Sequence, residues 1–121
     1  MLAKLEGDHS LAELIQTLTQ DLCLEDDELA ILAGVSTEVI VQWTAKGDGR
    51  AGERLQDLGA IAALLIRDGG MRPQAVSAWL RSSNRDLSLA RPLDALRHRG
   101  FLPVYAAAEA ACDSLADSAA S

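Results

Sequence analysis

The chain has 121 residues, of which 49% are apolar, 24% charged and only 3% aromatic, and its formal net charge is −7. This length allows one domain or two small dependent parts, packed mainly by leucine and alanine, which favours helix over sheet. No apolar run approaches about 18 residues, and the first ten residues lack the apolar centre of a signal peptide. We therefore expect a cytoplasmic protein without a membrane span.

The charge is unevenly placed along the chain. Residues 1–50 contain three basic against ten acidic residues, whereas residues 67–99 contain seven arginines against three aspartates. Phosphate affinity comes largely from lysine and arginine, so the first half is poorly suited to nucleic acid. Guanidinium groups suit protein interfaces, although a solvated helical face explains the arginine-rich segment equally well.

The first predicted helix begins at Ser10. Ser10-Leu11-Ala12-Glu13 spells a capping box, in which the serine and glutamate side chains satisfy backbone N–H groups at the helix start. An apolar face follows at helical spacing, formed by Leu11, Leu14, Ile15 and Leu18.

The next segment, DDELAILAGVSTEVIVQWTAKG from Asp26 to Gly47, is typical of a helix-turn-helix. Its first helix is predicted over about 26–33, with Gly34 as a left-handed turn residue. Ser36 is predicted to cap the second helix, about 37–45. Ala30 is the small residue of such a motif and Gly34 its turn glycine. Ile40 and Trp43 are the core-facing apolar residues, with Val39 beside them.

In a helix-turn-helix, exposed residues of the second helix contact base edges. Gln42 could read adenine, Glu38 could accept a hydrogen bond from cytosine N4, and Val41 could touch a thymine methyl. The tentative DNA-binding residues are Ser36, Thr37, Glu38, Val41, Gln42 and Lys46. Because ten acidic residues lie nearby, we expect weak binding by a single chain and stronger binding only by a dimer or larger assembly.

Lys46-Gly47-Asp48-Gly49 is the clearest break in the chain and divides it into three predicted parts. Residues 1–49 form the helix-turn-helix region, residues 50–70 a connecting and packing helix, and residues 71–121 the C-terminal domain. The connecting helix, about 51–67, carries an apolar seam that packs within the monomer or supports a dimer: Leu55, Leu58, Ala62 and Leu65, with Ile61 and Ile66 beside it.

Prolines and glycines delimit the remaining helices. Pro73 suits the first position of a helix ending near Arg81, because its missing N–H would have no partner there. A polar connection, 82–91, follows, and Pro92 and Pro103 are predicted to open two more helices, the first ended by Gly100. No stretch alternates with period two, so the predicted class is all-α: a helix-turn-helix bundle followed by a small helical domain.

The sequence offers no group of residues suited to catalysis. Neither His9 nor His98 lies in a motif that pairs it with a nucleophile and an orienting acid. Cys23 and Cys112 are 89 positions apart without metal-ligand spacing, so we expect two reduced thiols in the core. We predict a protein that is not an enzyme and that uses neither cofactor nor metal.

The most specific pattern lies further along the chain. It consists of Trp79-Leu80, Asn84, Leu87, then Arg91-Pro92-Leu93, Leu96 and a closing Gly100. In physical terms, Trp79 and Leu80 anchor the end of one helix and Asn84 caps or turns the polar loop. These residues could simply hold a helix–loop–helix corner together.

This pattern, WLRSSNRDLSLARPLDALRHRG from Trp79 to Gly100, resembles the C-terminal toxin-binding domain of the Xre/MbcA/ParS antitoxin family. GVSTEVIVQWTAKG resembles the family's Xre-like helix-turn-helix, so the resemblance covers about residues 20–116. Two departures are Ser83, where the family has a proline, and Leu89-Ala90, where it has a glycine pair.

The resemblance implies an antitoxin of a type II toxin–antitoxin system. Its partner would be a RES-domain toxin that consumes NAD, bound directly, so the expected assembly is a homo-oligomer or a hetero-oligomer with the toxin. The helix-turn-helix would bind the protein's own promoter DNA for operon autoregulation. The implied toxin-binding residues are Trp79, Leu80, Arg81, Asn84, Arg85, Leu87, Arg91, Pro92, Leu93, Leu96, Arg97 and Arg99. The alternative is a stand-alone helix-turn-helix regulator whose C-terminal domain makes a homodimer.

Overall fold

The computed structural model describes residues 11–46 and 53–120, and these ranges contain seven α-helices, one 3₁₀ turn and no strand. The elements are α1 (Leu11–Gln20), α2 (Asp26–Ala33), α3 (Thr37–Lys46), α4 (Glu53–Arg67), α5 (Pro73–Arg81), the 3₁₀ turn (Arg85–Leu87), α6 (Pro92–Arg99) and α7 (Phe101–Ala120). The predicted all-α class is confirmed. The predicted helix start at Ser10 and the glycines of the predicted break, Gly47 and Gly49, lie outside the described residues.

The helix α4 is the element on which the others assemble. It packs against α1 and α2 from the first half of the chain and against α5, α6 and α7 from the second. The predicted seam residues have no exposed surface: Leu55, Leu58, Ala62 and Leu65 are all fully buried, as is Ile61. Packing within the monomer is therefore confirmed for the seam, and the alternative of a dimer through these side chains is wrong.

The buried side chains of both halves form one hydrophobic cluster. From the first half it includes Leu14, Ile15, Leu18, Leu29 and Ile40, and from the second Leu80, Leu87, Leu96, Val104 and Ala108. Removing each large aliphatic side chain from water contributes about 1.5–3 kcal/mol. The helix-turn-helix region and the C-terminal helices thus draw their stability from the same core.

Helix ends follow the predicted turn residues closely. Gly34 ends α2 at a φ of 74°, and the Val35 N–H donates to the Ala30 carbonyl at 3.0 Å. Pro73 and Pro92 are the first residues of α5 and α6. The predicted start of the last helix at Pro103 is wrong: α7 begins at Phe101, and Pro103 is tolerated because N–H groups of a first helical turn have no intrahelical acceptor.

No helix in the two described ranges is both long enough and apolar enough to cross a bilayer.

An ion pair joins the first half of the chain to the second. The Arg81 Nε donates to Glu28 Oε2 at 2.9 Å, and its Nη2 donates to Glu28 Oε1. The same guanidinium donates to the Cys23 carbonyl at 3.0 Å and to Ser77 Oγ at 2.8 Å. Glu28 in turn accepts the Glu25 N–H at 3.0 Å, which caps α2. One arginine of α5 therefore fixes the start of α2.

Hydrogen bonds from Arg81 hold the pKa of Glu28 below its ordinary value of 4.5, against a smaller opposing effect of burial. A carboxylate whose pKa is lowered by folding binds fewer protons in the folded than in the unfolded protein. Glu28 therefore contributes fully to stability at a pH above the pKa of its carboxyl group in the unfolded protein. This contribution is lost as the pH falls through the lower pKa that the group has in the folded protein.

We predict that Glu28→Gln lowers the free energy of unfolding by about 1–2 kcal/mol at pH 7, because a charged, partly buried hydrogen-bond acceptor is lost. Urea unfolding should show the difference from the parent protein shrinking below pH 4.5. The control is Asp94→Asn, which removes an ion pair whose two side chains are 48% and 47% exposed, and should cost less than about 0.5 kcal/mol. Equal losses in both variants would contradict the linking role of Glu28.

The turn after α4 is packed too closely for a side chain. A Cβ on Gly69 would lie 2.6 Å from the Leu65 carbonyl oxygen and 3.1 Å from Cys112 Sγ. Real Cβ atoms do not approach a backbone oxygen this closely. Glycine at this position therefore allows α7 to pack against the end of α4.

Gly69→Ala should lower the free energy of unfolding by about 1–3 kcal/mol, the usual cost of overpacking a close contact. Thermal and urea unfolding would measure it. Gly34→Ala is the comparison, because a Cβ there meets nothing within 4 Å and only the left-handed backbone is strained, at about 1 kcal/mol. A smaller loss for Gly69→Ala than for Gly34→Ala would exclude the close packing.

Candidate partner-binding surface

The helix α3 presents the face that a helix-turn-helix uses to contact DNA. Its residues Thr37, Glu38, Val41 and Gln42 are exposed, as is Ser36 just before it, whereas Ile40 is fully buried and Trp43 is half-buried against the core. Ser36 caps the helix as predicted, since its Oγ accepts the Val39 N–H at 3.4 Å. Lys46 is the last residue of α3. The burial of Ile40, the exposure of the five residues and the Ser36 cap agree with the sequence prediction.

The electrostatics of this face differ from those of a DNA-binding helix. Thr37 Oγ1 donates to Asp27 Oδ1 at 3.0 Å, so the first residue of α3 is already bound to a carboxylate of α2. Glu38 is exposed beside it. Carboxylates at the start of a helix are stabilised by its dipole. They also repel phosphates at the end of the helix that would enter a groove.

The loop between α5 and α6 is shaped by Asn84, in the capping role predicted for it. Its Oδ1 accepts the Asp86 N–H at 2.9 Å and begins the 3₁₀ turn. Its backbone closes the loop: the Asn84 N–H donates to the Ala90 carbonyl at 3.0 Å, and the Leu89 N–H donates to the Asn84 carbonyl at 2.8 Å. Asn84 is thus committed to the loop's own structure.

The tip of this loop is strained. Ser88 and Leu89 have φ values of 57° and 70°, a left-handed backbone that residues other than glycine seldom adopt. Leu87 is buried beneath them, and its carbonyl accepts a hydrogen bond from Arg99 Nη1 at 3.2 Å. The Leu89 side chain is left 69% exposed. The loop therefore holds an apolar side chain outward at the cost of backbone strain.

The structure divides the sequence-predicted toxin-binding residues by burial. Buried in the monomer are Leu80, Leu87, Pro92, Leu93 and Leu96; half-buried are Trp79, Arg81 and Asn84; exposed are Arg85, Arg91, Arg97 and Arg99. The buried five pack inside the monomer. The other seven keep part of their surface open to solvent.

Three of these arginines are already bound within the chain. Arg81 binds Glu28, Arg99 binds the Leu87 carbonyl, and Arg91 binds Asp94 through Nε at 2.9 Å and Nη2 at 3.1 Å. The hydrogen bonds from Arg91 lower the pKa of Asp94. Arg85 and Arg97 form no hydrogen bond or ion pair with any residue the structure describes.

A shallow groove lies between α2 and α6, and sequence reasoning did not find it. It is lined by Glu28, Ile31 and Leu32 from α2, by Leu93, Asp94 and Arg97 from α6, and by Arg91 just before α6. Ile31 is 55% exposed at its edge. Leu29 and Leu32, the other large apolar residues of α2, are buried, whereas Ile31 is not. The sequence shows three large apolar residues in this helix but not which of them is left exposed. The groove joins the helix-turn-helix region to the predicted toxin-binding segment.

The expectation of two core thiols is half wrong. Cys112 is buried, its Sγ–H lies 3.7 Å from the Leu64 carbonyl, and burial raises the pKa of its thiol. Cys23 is exposed, because its neighbours Leu22 and Leu24 both point into the core and its own backbone turns left-handed, with a φ of 58°. Among the described residues no group of histidine, cysteine and acidic side chains could hold a metal ion.

No protein-family model matches the chain, and no curated protein matches its sequence. Among solved structures, the fold is similar to a chain in the crystal structure of the M. tuberculosis MbcT–MbcA toxin–antitoxin complex. The TM-score is 0.70, with 23% sequence identity over 88% of this chain and 97% of that chain. The resemblance inferred from the sequence is thus confirmed at the level of the fold, which this chain shares with a component of a toxin–antitoxin complex.

Proposed function

We propose that this protein is the antitoxin of a type II toxin–antitoxin pair and neutralises its toxin by direct binding. The observation that carries the proposal is the fold, which is shared over 88% of the chain with a component of a toxin–antitoxin complex. The Trp79–Gly100 pattern supports it independently, because it resembles the toxin-binding domain of the same family. The toxin is a RES-domain protein that consumes NAD, and the antitoxin is a non-catalytic cytoplasmic protein.

The toxin-binding surface consists of the exposed and half-buried members of the predicted set. Arg85 and Arg97 are its free cations, since both are exposed and neither has an ion-pair partner in the described ranges. Guanidinium groups of this kind bind carboxylates in a two-pronged geometry. The matching surface of the toxin is therefore acidic.

We predict that the double charge reversal Arg85→Glu with Arg97→Glu weakens toxin binding at least tenfold, because two attractive charges become repulsive. The measurement is titration of purified full-length antitoxin into the toxin encoded by the neighbouring gene. NAD levels and growth of cells that co-express both proteins give the functional result. In those cells the variant should fail to restore NAD and growth.

Arg72→Glu is the matched control, because Arg72 is also exposed but lies outside the predicted surface, before α5. It should bind the toxin as the parent protein does. Undiminished binding by the double variant would remove these arginines from the interface. Failure of the parent protein to bind the neighbouring protein would overturn the antitoxin function, and unchanged NAD on toxin expression would exclude the NAD-consuming class.

The exposed face of α3 favours a second activity, binding of the gene's own promoter. Val41 and Gln42 are exposed on this face, where a recognition helix reads bases. Asp27 and Glu38 oppose phosphate contact, so promoter binding belongs to the assembled toxin–antitoxin complex and serves autoregulation. In the alternative function, a stand-alone regulator, the free chain binds the operator as a homodimer.

A gel shift of the promoter over a salt series distinguishes the two functions. We expect the antitoxin–toxin complex to shift the fragment and the free antitoxin to bind at least tenfold more weakly, because a single acidic chain makes few phosphate contacts. Equal affinity of the free chain would favour the stand-alone regulator. No shift by either form, even at low salt, would exclude DNA binding altogether.

A further inference from the structure

We propose that the groove between α2 and α6 is a second contact site for the toxin, which inserts an apolar side chain with a neighbouring carboxylate. The site would make the helix-turn-helix region part of the toxin interface. It deepens the proposed function and rests on it. Nothing in the Trp79–Gly100 pattern points to α2.

An apolar side chain of the partner can pack against the apolar residues of the groove. Leu32 and Leu93 are buried at its base, one from each helix. Ile31 is 55% exposed on the same lining. An isoleucine left this exposed gains free energy when a partner covers it, in proportion to the apolar area removed from water. The site therefore fits one aliphatic or aromatic side chain.

The charges around the groove favour a partner that carries a carboxylate next to the inserted apolar side chain. Glu28 is neutralised by Arg81, and Asp94 is neutralised by Arg91. Arg97 lies near enough to Asp94 to contribute to the lowering of its pKa, but it forms no ion pair with any described residue. The groove is thus left with one unbalanced positive charge, which a carboxylate on the incoming segment would match.

The toxin is a better occupant than a second copy of this chain. Four of the seven lining residues, Arg91, Leu93, Asp94 and Arg97, belong to the segment that already carries the proposed toxin contact. The groove is therefore continuous with that surface. Two copies of the chain would each bring a net charge of −7, and their mutual repulsion opposes association.

The test compares Ile31→Ser with Val41→Ser in full-length antitoxin titrated with the toxin, without DNA. Both positions hold a β-branched aliphatic side chain that is 55% exposed, but Val41 lies on α3 away from the groove. We expect Ile31→Ser to weaken toxin binding at least fivefold and Val41→Ser to change it less than twofold. Circular dichroism and thermal unfolding check that both variants fold.

A second variant tests the charge without altering any apolar group. Arg97 belongs both to the proposed toxin surface and to the groove lining, and Arg97→Gln should weaken binding and also reduce its dependence on salt, because an ionic contact is removed. Light scattering of the free antitoxin gives its molar mass before and after each substitution. The binding measurements use the toxin itself as the probe.

Equal toxin affinities for Ile31→Ser and Val41→Ser would overturn the groove contact and leave the antitoxin function standing. A molar mass of the free chain that falls to the monomer only in Ile31→Ser would assign the groove to a second copy and also overturn it. Absence of toxin binding by the parent protein would instead overturn the proposed function, so the two failures are distinguishable.

Discussion

The structure depends on covering α4. Eight of its residues are buried, from Leu55 and Leu58 to Leu64 and Leu65. A helix this apolar on so many sides is stable only when neighbours exclude water from most of its circumference. Neither half of the chain supplies enough helices for this alone. The first half contributes α1 and α2 and the second contributes α5, α6 and α7, so the two halves fold around one helix.

The acidic residues of the first half also stabilise this arrangement. Acidic residues in the first turn of α2 interact favourably with the positive end of the helix dipole, and Glu28 is bound by Arg81 from the other half. Negative charge that disfavours DNA therefore stabilises the helix-turn-helix and attaches it to α5. Arg85 and Arg97, two cations without an ion-pair partner among the described residues, lie in the second half.

Features set by a few neighbouring residues were predictable from the sequence. The bounds of α2 and α5 agree with prediction, because Gly34 and Pro73 act through their own backbone geometry. The apolar seam of α4 was likewise visible in its spacing, and the fold class followed from such patterns. For the same reason the capping role of Asn84 could be read from its place in the loop.

Features that depend on distant parts of the chain were not predictable. Glu28 and Arg81 are 53 positions apart, and nothing local shows that they meet. The groove between α2 and α6 has the same origin. The Trp79–Gly100 pattern predicts a functional segment, but a leucine in that pattern looks the same in the sequence whether it packs a corner or contacts a partner. Only the fold shows that Leu80, Leu87 and Leu96 are buried.

The shared core has a genetic consequence. A substitution at Ile61 or Leu65 in α4 lowers the stability of every helix at once, so alleles in the core should impair the proposed toxin neutralisation and the proposed promoter regulation together. Alleles that separate the two phenotypes should fall among exposed side chains such as Gln42 or Arg85. A mutant screen sorted by phenotype would thus outline the surfaces of this protein without reference to its coordinates.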